Sequence, residues 1–152
     1  MGSLADIRTE IKRVIETVPE IGTVHEYERW LADEKRMKEL CWHEDLQAIR
    51  FWELTREATP SSDQDSEREA RAHQWVARGY MPVKDADASE LFWQQKAEEI
   101  CEVLRAERMT PAPLNGRAHV LGPISVRSFA PWMRAGMLMH RVEIVFTTTV
   151  VE

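Results

Sequence analysis

Residues 137–150 constrain the fold more than any other stretch of this chain. Leu138, His140, Val142, Ile144 and Phe146 alternate with Arg141, Glu143 and Thr147. The period of two predicts a strand with one face on a core and the other among polar groups. Such a strand needs a sheet beside it and a covering layer over its apolar face.

The covering layer is legible as helical spacing. Leu4, Ile7, Ile11, Val14, Ile15 and Val18 recur at helical intervals, with Pro19 and Gly22 as the stop. Ser3 is placed to cap this helix, with Asp6 three residues on. A longer helix is expected to begin at Asp87, where Glu90 completes a capping-box spacing. Trp93, Ala97, Ile100, Cys101 and Leu104 then form its apolar stripe, and it ends before Thr110-Pro111-Ala112-Pro113. A more charged helix is expected over Leu31–Asp45, with Met37, Leu40 and Cys41 on one side.

Further strands are expected between these helices. Thr23–Tyr27 reads as a short strand or extended connection. Ala48–Arg56 carries Ile49 and Phe51 on one face and Trp52 and Leu54 on the other, a pattern expected inside a sheet or at a subunit contact. His73–Met81 alternates through Trp75, Ala77, Gly79 and Met81 and is closed by Pro82. Residues 58–69 are polar and predicted to form an exposed, mobile loop. Residues 109–117 read as a turn region, and Ala118–Val126 as a strand broken at Gly122-Pro123. Phe129-Ala130-Pro131-Trp132-Met133 reads as a connection with exposed apolar side chains. The expectation is a single α+β domain over 1–152. Two to three helices would pack mainly on one face of a mostly antiparallel sheet of four to five strands.

Composition narrows the function classes. Asp and Glu outnumber Lys and Arg, 26 to 20, for a net charge of −6. Basic residues read as interleaved with acidic ones, which works against binding a nucleic-acid backbone. Cys41 and Cys101 are too sparse for a disulfide scaffold and read as small buried hydrophobes. No apolar run approaches the roughly 20 residues of a membrane span. Met1–Asp6 lacks the features of a signal peptide, so an intracellular, reducing compartment is expected. The six tryptophans, Trp30, Trp42, Trp52, Trp75, Trp93 and Trp132, lie in different segments. Most are expected in the core, with one or two at a subunit contact.

No motif for chemistry emerges. His25, His43, His73, His119 and His140 stand in five separate segments, without the paired spacing of a zinc site. Neighbours such as His25 and Glu26 point to opposite faces of a strand. Cys41 and His43 fall on different sides of a helix, and His140 is expected as a hydrogen-bonded core histidine. There is no nucleophile elbow and no phosphate-cradling glycine loop. Asp85/Asp87 and Glu98/Glu99 read as solvated helix starts and faces. The chain is therefore expected to hold no catalytic, cofactor or metal residues.

Three segments, GTVHEYERWL (22–31), HQWVARGYMPVKDADASELFWQQKAEEI (73–100) and RAGMLMHRVEIVF (134–146), follow one another around the polar loop. Together they resemble small tail-completion proteins of long-tailed bacteriophages and prophages, above all the tail-terminator group. The resemblance spans nearly the whole chain and rests on element order and scattered aromatic and glycine positions. It implies a protomer that forms a ring, typically of six, at the head-proximal end of the tail in the virion, assembled in the host cytoplasm. Its partners would be further copies of itself, the tail tube protein and the head–neck connector protein, with no membrane and no nucleic-acid specificity. The candidate interface residues are Trp52, Trp75, Phe129, Trp132, Met133 and Arg134. A head–tail connector (neck) protein shares these elements. A small intracellular hydrolase would instead have to gather His25, His73 or His140 with distant carboxylates, and a regulatory or host-interaction module is a further reading.

Overall fold

The computed structural model describes residues 4–58 and 70–151. In chain order the elements are α1 (Leu4–Glu16), β1 (Thr23–His25), α2 (Glu34–Cys41), β2 (Trp42–His43), β3 (Ala48–Ile49), β4 (Phe51–Ala58), β5 (Ala70–Pro82), α3 (Ser89–Arg108), β6 (His119–Arg134) and β7 (Met137–Val151). The main sheet has the order β1-β4-β5-β7-β6, and β2 and β3 form a separate two-stranded ladder. The fold is α+β. Three of the four pairings in the main sheet are antiparallel, but β1 lies parallel to β4, so the sheet is mixed. The connection from β1 to β4 runs through α2, the kind of crossover a parallel pair requires.

The two faces of the sheet are covered unequally. α1 and α3 press Ile7, Ile11, Ile15, Trp93, Ile100 and Leu104 onto Trp52, Trp75, Val142 and Ile144 in the main core. On the opposite face α2 covers one end only, where Met37 and Cys41 meet Ile49, Phe51, Tyr80 and Met139. The double-faced pattern of residues 48–54 has its explanation here. Phe51 belongs to the small core and Trp52 to the large one.

Several boundaries differ from the sequence expectation, each for a local reason. The charged helix is shorter than Leu31–Asp45. Asp33 caps it by accepting the Arg36 backbone N–H at 2.8 Å, and Trp42 leaves the helix to pair with Ile49. The strand expected over Ala48–Arg56 is interrupted at Arg50, whose carbonyl accepts the Thr23 N–H at 2.9 Å. α3 begins at Ser89, not at Asp87. Asp85–Asp87 form a 3-10 turn, Ala88 adopts a left-handed conformation, and the Ser89 hydroxyl accepts the Lys84 N–H at 2.8 Å.

The largest difference lies in the last third. The break at Gly122-Pro123 and the connection at 129–133 are both absorbed into one long strand, β6, which pairs with β7 down to Arg134–Met137. Register shifts between Leu121 and Ser125 and between Val126 and Ser128 take up the irregularity. Bulges and prolines are tolerated because β6 is an edge strand. Ala135 and Gly136, both at positive φ, close the hairpin as its two-residue turn. The Ser3 cap and residues 59–69 of the polar loop lie outside the described residues.

Candidate functional site

The tip of the β6–β7 hairpin lies at the end of the sheet that α2 covers, where Ala135 and Met137 pack against the small core. Directly paired residues share a face, so Trp132 and Met139 lie on the α2 side, while Met133 and Leu138 lie on the α3 side. Trp132, Met133 and Leu138 are 43%, 62% and 47% exposed. The tip is therefore apolar on both faces. It is also almost without charge, since Arg134 is the sole charged residue between Ser128 and His140.

That one charge is neutralised in place. Arg134 binds both carboxylate oxygens of Glu53, a residue 1% exposed in β4, and donates to the Arg29 carbonyl at 2.8 Å. Its guanidinium also lies over the rings of Phe51 and Tyr80, which stack with centroids 5.0 Å apart. Glu53 takes a further hydrogen bond from the Arg29 backbone N–H at 2.7 Å. The turn end of the hairpin is thus clamped to the sheet through a buried, hydrogen-bonded ion pair.

A row of polar residues crosses the same face: His25, Glu53, Arg78, Glu143 and Ser128 are successive partners from β1 to β6. Glu143 receives Arg78 at 2.7 Å, Ser128 at 2.8 Å, Arg141 at 3.0 Å and Arg127 at 3.2 Å. Burial acts to raise its carboxyl pKa, but the hydrogen bonds from Arg127, Arg78 and Ser128 prevail and hold it at about 2. Arg127 continues the network by a two-pronged contact with Glu57. Arg141 lies 4.0 Å from the ring centroid of Trp132, which ties the network to the hairpin tip.

Two pairs of side chains have the residue types of nucleophile and base, and neither was foreseen from spacing. Cys41 Sγ lies 3.8 Å from His25 Nε2 across the α2–β1 contact. Burial, then the Glu53 carboxylate, push the thiol up to about 12, while burial, then Arg29, hold the imidazole down to about 4. Both groups are neutral, which is the opposite of a thiolate–imidazolium pair. Ser89 Oγ lies 2.8 Å from His140 Nε2, on the wall of a cleft of about 550 Å³. Its hydroxyl accepts the Lys84 backbone N–H and shares a hydrogen bond with an imidazole whose pKa burial lowers, so two partners hold it in place. Ser89 is 1% exposed. This pair joins the start of α3 to β7, and His140 is the hydrogen-bonded core histidine expected of it.

Of the six candidate interface residues, Trp52 and Trp75 are fully buried and present no surface to a neighbour. Trp52 packs on Trp93, and the Trp75 indole N–H donates to Thr148 Oγ1 at 2.8 Å. Their alternation marks sheet interior, which a strand covered on both faces also produces. Phe129 is half-buried against His140. Trp132 and Met133 stand on the surface, and Arg134 is the clamp behind them. Leu138 completes the tip and was missed, because a strand period places it among inward residues without saying where the core ends.

A second signal was also present in the sequence. Between Glu107 and Glu143 there is no acidic residue, while Arg108, Arg117, Arg127, Arg134 and Arg141 all fall there. Basic and acidic residues are thus not interleaved in this stretch, contrary to the reading above. Folding supplies the missing acids: Asp6 for Arg117, Glu57 and Glu143 for Arg127, Glu53 for Arg134 and Glu143 for Arg141.

Among the described residues no group of three or more His, Cys, Asp or Glu side chains is placed to hold a metal ion, and no helix is long and apolar enough to cross a membrane. Cys41 and Cys101 are free and buried, as expected. No family model and no curated protein matches the chain. One solved structure is similar over 99% of this chain and 96% of its own, with 17% identity and a TM-score of 0.49. Its name describes no activity, and a likeness this distant carries no argument here.

Proposed function

We propose that this chain is a ring-forming assembly protein of a phage or prophage tail, of the tail-terminator kind, which caps the tail tube and joins it to the neck of the head. The observation that carries this reading is the hairpin tip: apolar on both faces, nearly uncharged, and clamped to the sheet by Arg134 and Glu53. Interface centres are depleted in charge and rich in Trp and Met, and an exposed apolar patch on a rigidly held hairpin suits that composition. A ring needs two complementary patches per subunit and no chemistry. The partners in this reading are other copies, the tube protein and the neck protein. Obligate interfaces are larger and more apolar than this tip, so free rings are expected to be weak in dilute solution and to be stabilised by a tube end.

The test is a tube-capping assay. Purified protein added to polymerising tail tube protein is expected to arrest elongation and appear as a ring at one end in negative stain. Met133→Glu is expected to abolish capping while leaving the melting temperature unchanged. Binding to the neck complex with no effect on the tube would favour a head–tail connector instead.

A further inference from the structure

We propose that Pro131 guards the long free edge of the sheet and keeps two copies of this chain from joining strand to strand along β6. The guard acts whether or not the chain caps a tail tube. Among the described residues the main sheet has two edges, β1 and β6. β1 is three residues long, too short to template another strand, whereas β6 runs for 16. An edge of that length offers unpaired backbone groups to any strand that meets it.

Backbone geometry decides which groups those are. The Val83 N–H donates to the Leu138 carbonyl at 3.2 Å, so Leu138 turns its backbone toward the β5 side. Antiparallel partners alternate between pairs that exchange hydrogen bonds and pairs whose backbone groups turn away from each other. Leu138, His140 and Val142 pair with Met133, Pro131 and Phe129, which therefore turn their backbone groups outward. Arg134 and Met137, flanking the two-residue turn, are then a bonded pair, as such a turn requires. Of the three outward positions the middle one is a proline, with no N–H to give. Pro131 is exposed, and its missing donor costs the β7 pairing nothing. The rest of the edge is interrupted too. Pro123 has no N–H, the Ile124 carbonyl already accepts Arg105 at 2.8 Å, and the register shifts between Val126 and Ser128. The run from Ser128 to Met133, Ser-Phe-Ala-Pro-Trp-Met, is uncharged and rich in aromatic residues. Without its proline it has the composition of a segment that pairs with copies of itself.

Hydrogen exchange and one substitution test this. In dilute wild type the amides of Phe129 and Met133 are expected to exchange at least about tenfold faster than those of Ala130 and Trp132. Pro131→Val supplies the missing donor and a β-branched side chain. It is expected to self-associate at least about tenfold more tightly than wild type in sedimentation, with Phe129 and Met133 now protected. Pro111→Val, which removes a proline outside the sheet, is expected to match wild type. Equal protection of all four wild-type amides would overturn the guard, and that measurement stands even if Pro131→Val fails to fold. So would a folded Pro131→Val that associates no more tightly than wild type, or one whose oligomers leave Phe129 and Met133 exchanging freely. None of these outcomes bears on the tube-capping assay, which decides the tail reading separately.

Discussion

Arg134, at the tip of one hairpin, grips both carboxylate oxygens of Glu53, 81 residues earlier in the chain and buried in β4. The clamp fixes the direction in which Trp132, Met133 and Leu138 project. Removing Arg134 leaves a buried carboxylate without its counter-ion. Arg134→Ala is expected to cost about 3–5 kcal/mol, whereas Glu53→Leu with Arg134→Leu costs much less than the two single changes added together. Urea unfolding of the double-mutant cycle checks this. Additive costs would show that the two side chains act independently.

Acid should unfold the protein in two windows. Unfolded, His25 takes up its proton near 6.5; folded, burial and Arg29 delay this to about 4. Between these values the unfolded state binds the extra proton, so stability falls as pH drops below about 6.5 and this loss is complete near 4. Its size is at most about 3 kcal/mol. Glu143 contributes stability that is present above about 4.5 and lost as pH falls from there to about 2. Thermal melts from pH 8 to 3 are expected to show the upper window flatten in His25→Gln and the lower one in Glu143→Gln.

The thiols should be inert in the folded protein. Burial, with Glu53 assisting, pushes Cys41 up to about 12, and burial, with Glu98 assisting, takes Cys101 to about 11. Neither supplies thiolate at pH 8. Iodoacetamide is expected to label both only after denaturation, as counted by intact mass. Rapid labelling of native Cys41 would mean that His25 activates it after all.

Gly79 should tolerate no side chain. A Cβ there would lie 2.5 Å from the ring of Trp52, which is itself packed on Trp93 with centroids 5.2 Å apart. Gly79→Ala is expected to destabilise by about 1–3 kcal/mol through displacement of that ring. Near-ultraviolet circular dichroism should report the change in the tryptophan environment, and an unchanged spectrum and melting temperature would contradict the packing.

The sequence alone determined which faces of α1, α3, β5 and β7 are buried, because those patterns repeat at intervals of two or 3.6 residues and are set by local backbone geometry. It also determined the order of the main helices and strands, and with it the α+β class, but not the short β2–β3 ladder. The tertiary structure decided everything that depends on residues meeting from far along the chain. Ser89 turns inward to His140, 51 residues away, and that contact moves the start of α3 past its expected cap. His25 meets Cys41 only because α2 folds back over β1, and β1 joins β4 in parallel for the same reason. β6 continues past Pro123 and Pro131, with a register shift around the first, because among the described residues it is the edge of the sheet. Trp132, Met133 and Leu138 stay exposed while Met139, Ala135 and Met137 pack into the small core, and no period within β7 records where a neighbouring helix stops.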